Sequence, residues 1–274
     1  MLCALGHVVS TRQLLAAGAT ARRLERWVTD GSILRLRPGT YACTHLDDEA
    51  VIAATAGTRL DCVSLLDRIP DAWTGRADHG IHVRAIPGRH VGSLPPGAVI
   101  HRPRVGEPGL VGALASASRC LEPVDWLACV ESVLHLGRID ERGLEILAAT
   151  VRGPARRMLG RLDRDAESGL ETHARCRLED AGFTVETQVP VPGAGRLDLL
   201  VDGCVAVETD GRRWHEHRFL EDRTKDVRVE GWGIRVLRIA PVHLFEEWPE
   251  TLATITRMVR EWSPAGRPWR IAHG

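Results

Sequence analysis

The chain has 274 residues, 44% of them hydrophobic and 26% charged, with 36 basic residues against 36 acidic ones. These proportions describe a globular protein that can bury a core. With no apolar run of about 18 residues no membrane span is expected, and Met1-Leu2-Cys3-Ala4-Leu5 lacks the basic start of a secretory signal. A formal net charge of zero argues, taken as a whole, against a protein that coats nucleic acid through uniform positive charge.

The sum conceals a gradient. Residues 1–44 carry six Arg against Glu25 and Asp30, residues 45–162 carry 14 basic and 14 acidic residues, and residues 163–274 carry 16 basic and 20 acidic. Three segments with these bounds are expected: a basic N-terminal module, a connecting mixed α/β region and an acidic C-terminal domain. Every basic residue but Lys225 is Arg, so the identity of any one Arg reflects composition more than local chemistry. The seven cysteines (Cys3, Cys43, Cys62, Cys120, Cys129, Cys176 and Cys204) form no Cys-x-x-Cys pair. Neither a disulfide framework nor a cysteine-rich zinc site is expected, and a reducing cytoplasm is the expected compartment.

Residues 1–44 read as helix, turn, helix, hairpin. Ser10 or Thr11 caps a short helix through Leu14, Leu15 and Ala16 that Gly18 ends, and Thr20 caps a second helix with Leu24, Trp27 and Val28 on its apolar face. Ile33–Leu36 and Thr40–Ala42 are strands around the turn signal Arg37-Pro38-Gly39. This is a winged helix-turn-helix pattern. Arg22 and Arg26 share one face of the second helix at i,i+4 spacing, beside Arg23. Together with Arg12 and Arg37 they are candidate DNA contacts, the second helix being the one that would enter a major groove. The plain alternative is a solvated face on a docking module. The pieces Gly6-His7-Val8-Val9-Ser10, Leu14-Leu15-Ala16-Ala17-Gly18, Asp30-Gly31-Ser32-Ile33 and Arg37-Pro38-Gly39-Thr40-Tyr41 resemble the winged helix that opens AbiEi-type antitoxin proteins. The resemblance implies a DNA-binding or regulatory role.

In residues 45–162 a helix is expected from Asp48 to Leu60, strands at Ile81–Val83 and Val99–Arg102, and helices over Cys120–Leu136 and Glu141–Leu162. His79, His82, His90 and His101 share no metal-binding spacing, so strand and loop histidines are the simpler reading.

Ser168-Gly169-Leu170-Glu171 has the form of a capping box opening a helix that Gly182 ends. Strands follow at Thr184–Val189, Arg196–Val201 and Val205–Asp210, then a helix over Glu216–Glu230, a strand at Ile234–Ile239 and a last helix from Pro249. Asp198 interrupts one apolar strand, and Glu208 and Asp210 the next. A charge inside an apolar strand is costly unless it is paired or binds a metal. Register decides whether they meet. A two-residue turn pairs Val201 with Cys204 and turns Glu208 away from Asp198. A three-residue loop with Gly203 in the left-handed region pairs Val201 with Val205 and sets Asp198 opposite Glu208, and this second register is expected.

Asp198, Glu208, Thr209 and Asp210, with Val207–His215, Asp222-Arg223-x-x-Asp226 and Gly233–Arg238, resemble restriction-endonuclease-like nucleases and, within them, very-short-patch-repair endonucleases. The resemblance implies a C-terminal αβββαβ nuclease domain, so that the whole reads as an α/β (α+β multidomain) chain. It implies that Asp198 holds Mg²⁺ (or Mn²⁺) with the Glu208 carboxylate or the Thr209 carbonyl, that His215 is the general base, and that Glu171 sits at the metal or merely caps its helix. Asp210 stands at the usual Lys position, so positive charge must come from Lys225, Arg212 or Arg213, although Lys225 also reads as a plain surface residue. Arg212 stands where the repair enzymes have a zinc-binding Cys, and His215 with His217 do not make a site alone, so no zinc is expected. Trp214 lies where those enzymes wedge an aromatic into DNA, or it packs locally.

Two functions follow as expectations. One is a metal-dependent DNA endonuclease assisted by a winged helix. The other is a non-catalytic, antitoxin-like regulator with a degenerate nuclease fold. Double-stranded DNA is the expected partner of either, with a toxin–antitoxin or repair protein beside it.

Overall fold

A computed structural model describes residues 2–5, 7–75, 79–102, 109–210 and 219–262. The chain mixes helices and strands, as expected, and divides into two compact units: Met1–Pro70 with Ala77–Ala117, and Asp71–Arg76 with Ser118–Gly274. This division differs from the three segments read from charge, because residues 45–70 and 77–117 join the head while residues 71–76 and 118–162 join the C-terminal sheet.

The first unit opens with β1 (Val8–Ser10), α1 (Thr11–Ala16), α2 (Ala21–Thr29), β2 (Ile33–Arg37) and β3 (Thr40–Cys43). Ser10 and Gln13 form a capping box on α1, and the Thr20 hydroxyl accepts the Arg23 amide at the start of α2. The three strands make an antiparallel sheet in the order β1-β3-β2. Leu14 and Leu24 bury their side chains with Leu2, Val9, Ala19, Ile33 and Cys43, so the apolar side of each helix forms the core.

After the hairpin, α3 (Asp48–Thr55) is capped by Asp47 and stops at Ala56. The single helix expected over residues 48–60 is therefore a helix followed by a strand, β4 (Thr58–Leu60). Gly57, at φ +76°, reverses the chain between them, and the buried Thr58 hydroxyl donates back to the Ala53 carbonyl. A short helix α4 (Cys62–Leu66) leads to β5 (His82–Ala85) and β6 (Val99–His101), which complete a sheet in the order β4-β5-β6. Helix α5 (Leu110–Ala117) closes the unit.

The second unit contains α6 (Pro123–His135), α7 (Glu141–Thr150), α8 (Gly153–Met158) and α9 (Gly169–Asp180), then β7 (Val185–Val191), β8 (Gly195–Val201) and β9 (Val205–Thr209). It ends with α10 (Phe219–Gly231), β10 (Arg235–Ile239), α11 (Pro241–Phe245) and α12 (Trp248–Trp262). The helix expected over residues 141–162 breaks after Thr150, because Val151 and Arg152 are extended and Gly153 lies at φ +65° before Pro154. The four strands lie in the order β10-β9-β8-β7, with β10 parallel to β9 and the others antiparallel. Leu199, Val201, Val205 and Val207 pack with α9 and α12 residues such as Ala174, Leu178, Ile255 and Val259. Leu200 and Ala206 pack instead with Val229 of α10 and Ile234. Strand alternation thus divides the residues between two layers of helix.

A buried polar seam joins α6 to α9 and explains why residues 118–162 belong with this sheet. The Glu131 carboxylate accepts from Arg175 at 2.8 Å, the Thr172 hydroxyl at 2.5 Å and the Asp163 amide at 2.7 Å. Trp73 lies so close to Gly169 that a Cβ there would meet the indole at 2.2 Å. Among the described residues no helix is long and apolar enough to cross a membrane.

Candidate active site

The site begins with the β8–β9 hairpin. Val201 pairs with Val205, Leu200 with Ala206 and Leu199 with Val207, across a three-residue loop with Asp202 at φ +46° and Gly203 at φ +68°. This is the register that sets Asp198 across from Glu208, and the Asp198 amide donates to Glu208 Oε1 at 3.3 Å. Asp198 Oδ2 accepts from the Thr209 amide at 2.8 Å and its hydroxyl at 3.1 Å. Thr209 was expected to offer its carbonyl to a metal; its observed part is to orient Asp198.

The first turn of α9 brings in Glu171. Ser168 Oγ accepts the Glu171 amide at 3.2 Å, as a cap should. The Glu171 carboxylate, however, accepts from the Glu167 amide at 3.1 Å and from Gln188 Nε2 at 2.9 Å. The reciprocal half of the capping box is replaced by contacts that direct the carboxylate into the site. Gln188 lies between Thr187 and Val189, which pair with Leu199 and Leu197, and so stands across from Asp198. Sequence reasoning missed it. Its signal in hindsight is a polar residue at φ +49° inside a strand.

These groups are held at a cost. Glu171 is 6% exposed; burial, and then the Asp198 charge, push its carboxyl up to about 7. Glu208 is 5% exposed and is likewise raised, first by burial and then by Asp198, against the downward pull of Lys225 and Arg238. Lys225 Nζ, from α10, donates to Glu208 Oε2 at 2.5 Å. The chain's only lysine is therefore no plain surface residue: it delivers from a neighbouring helix a positive charge that the strand itself lacks.

Asp210 takes another direction. It accepts from Arg238 Nη1 at 3.2 Å, and the same guanidinium grips Asp226 through two bonds of 3.2 and 2.8 Å. Glu208 and Glu171 thus both neighbour Asp198, with Lys225 bonded to the first and Gln188 to the second, while Asp210 joins an ion-pair network with Arg238 and Asp226. Arg212, Arg213, Trp214, His215 and His217 lie outside the described residues.

On the head, Arg12, Arg22, Arg23 and Arg26 are exposed, and the Arg23 guanidinium stacks 4.7 Å over Trp27. Arg37 is half-buried, with Nε donating to the Thr40 hydroxyl within its own turn at 3.2 Å. Residues 3–44 match a protein family described as "Transcriptional regulator, AbiEi antitoxin". No curated protein matches the chain. The head is thus similar to a DNA-binding regulator, over the segment that displays the exposed arginines.

Proposed function

We propose that this chain is a metal-dependent DNA endonuclease in which a winged-helix head holds the duplex and the β8–β9 hairpin carries the cleavage site. The observation that supports it most is that Glu208 and Glu171 are buried beside Asp198 and raised, first by burial and then by its charge. Such a set is relieved by a cation, and its donors are all hard carboxylate oxygens, which suit Mg²⁺ or Mn²⁺. Asp198 and Glu208 would hold the ion, with Glu171 beside them. When bound there, a divalent cation supplies polarisation of the phosphodiester and stabilisation of the departing oxygen.

The remaining work falls to the chain. Thr209 fixes the Asp198 carboxylate and Gln188 fixes that of Glu171, so both are oriented in advance. Lys225 supplies the positive charge that the Lys position taken by Asp210 does not. His215, by resemblance, accepts the proton of the attacking water. Arg22, Arg23 and Arg26 meet phosphates or base edges.

A second reading is a non-catalytic regulator, with a toxin–antitoxin partner. The match of residues 3–44 to an antitoxin family favours it, as does the closure of Lys225 on Glu208. Incubating supercoiled plasmid with the purified chain, with and without Mg²⁺ or Mn²⁺, separates the two. The nuclease reading expects nicking that needs the metal and disappears in Asp198→Ala and His215→Ala. DNA binding without cleavage under every metal and substrate tried would leave the regulator.

A further inference from the structure

We infer that the first unit carries a second, separate metal site, a zinc site built from Cys62, His82 and His101. The three side chains are buried, and their ligand atoms lie within 4.8 Å of one another. They are 19 or more residues apart in sequence, and the fold assembles them. His82 and His101 stand on the adjacent parallel strands β5 and β6, where His82 pairs with Val99 and Arg84 with His101, so both point to one face of the sheet. Cys62 begins α4 directly after β4, next to the Asp61 amide that donates to the His82 carbonyl at 3.0 Å.

The geometry fits a tetrahedral ligand set. His82 Nδ1 and His101 Nε2 are 3.2 Å apart. Bonds of about 2.0–2.1 Å to a tetrahedral zinc put two imidazole nitrogens about 3.3 Å apart. His82 Nε2–H donates to the His79 carbonyl at 3.1 Å, which fixes the tautomer that leaves Nδ1 bare. Metal-bound imidazoles are oriented in this way by a second hydrogen bond. Cys62 sits at φ +53°, a left-handed conformation that costs a non-glycine residue energy and persists only where its surroundings demand it. One thiolate with two imidazoles selects zinc over the hard cations that suit the carboxylate site.

The local core gives the site a purpose. The sheet β4-β5-β6 has strands of only three or four residues, and the apolar cluster on it has three buried members, Ala53, Ile81 and Val83, with partly buried Leu60, Leu94, Ala98 and Ile100 against them. A bound ion would tie α4 to β5 and β6 where apolar burial is thin. Beside it, the His79 Nε2 atom is buried with no hydrogen-bond partner among the described residues, its ring 6.3 Å from that of His82. This inference reverses the expectation of no zinc, which rested on residues around Arg212 and on the lack of short Cys/His spacing.

The test is the zinc content of the purified full chain by mass spectrometry, beside Cys62→Ser, His82→Asn, His101→Asn, Cys43→Ser and Asp198→Ala. The expected result is about one zinc per chain, lost in the first three variants and kept in the last two. Stoichiometric zinc that survives Cys62→Ser but disappears in Cys43→Ser belongs to the Cys3, Cys43 and His45 group and overturns the assignment, as does its loss in Asp198→Ala. Should the ligand variants fail to fold, Co²⁺ added to metal-depleted Cys43→Ser, which lacks a ligand of the rival group, gives the answer. A thiolate-to-cobalt charge-transfer band is expected, and its absence would refute the site.

Discussion

The exposed arginines of α2 and the buried carboxylates of β8 and β9 carry opposite charge under opposite conditions. Arg22, Arg23 and Arg26 stand in water, where charge costs little and any solvated helix face can hold it. Glu171 and Glu208 are almost fully buried against the repulsion of Asp198, an arrangement that a fold without a use for it would lose. The arginines are therefore cheap to hold and the carboxylates costly. The neutrality of the whole chain is the sum of these two regions and does not argue against a nucleic-acid partner.

The contrast can be broken at several points. The largest effect expected is on chemistry: Asp198→Ala should reduce metal-dependent plasmid cleavage roughly a thousandfold, since the several kcal/mol supplied by a bound cation convert at about 1.4 kcal/mol per tenfold. Next is a buried charge that is fully paired. Glu131→Ala removes the shortest carboxylate partner of Arg175, which is 5% exposed and is left with longer contacts to Glu179 and Asp163, and takes the acceptor from the Thr172 hydroxyl and the Asp163 amide; it should lower unfolding free energy by about 3 kcal/mol in a denaturant titration.

Glu171 separates burial from pairing. In the folded chain it keeps its proton up to about pH 7, against the ordinary 4.5 when unfolded. Its stabilising contribution is therefore present below the unfolded value and lost as pH rises through the folded one, a swing of about 3 kcal/mol. In metal-free buffer the stability of wild type relative to Glu171→Gln should fall between about pH 4.5 and pH 7. A pH-independent difference would mean that the carboxyl is not held against its charge.

The smallest effect on stability belongs to the arginines. Arg22→Ala with Arg26→Ala should leave unfolding unchanged within about 0.5 kcal/mol. The same pair should flatten the salt dependence of DNA binding in a gel-shift series, by about one unit of slope per phosphate contact removed. Unchanged binding would remove α2 from DNA recognition.

What could be read from sequence was local. The caps at Ser10, Thr20 and Ser168 and the loop at Gly203 are each set by a few neighbouring residues, and each stands where expected. The Gly203 loop in turn set the Asp198–Glu208 register, so the juxtaposition of these two carboxylates was legible. Residues brought in by other elements were not. Lys225 reaches Glu208 from α10, and Gln188 reaches Glu171 from β7; no spacing rule connects those positions. The same holds for Cys62, His82 and His101, which only the order β4-β5-β6 assembles. Helix α5 (Leu110–Ala117) begins where a loop over Pro103–Gly112 is expected, because Ser116 is its only polar side chain and no polar side gives a period.

The central claim is that Asp198, Glu208 and Glu171 form a cation site, and Mn²⁺ binding to the full chain by isothermal titration calorimetry tests it most directly. One saturable site is expected at pH 8, weakening as pH falls through about 7 while Glu171 takes up its proton, absent in Asp198→Ala and retained in Cys62→Ser. No saturable binding in the wild type, or binding that Asp198→Ala leaves unchanged, would contradict the account.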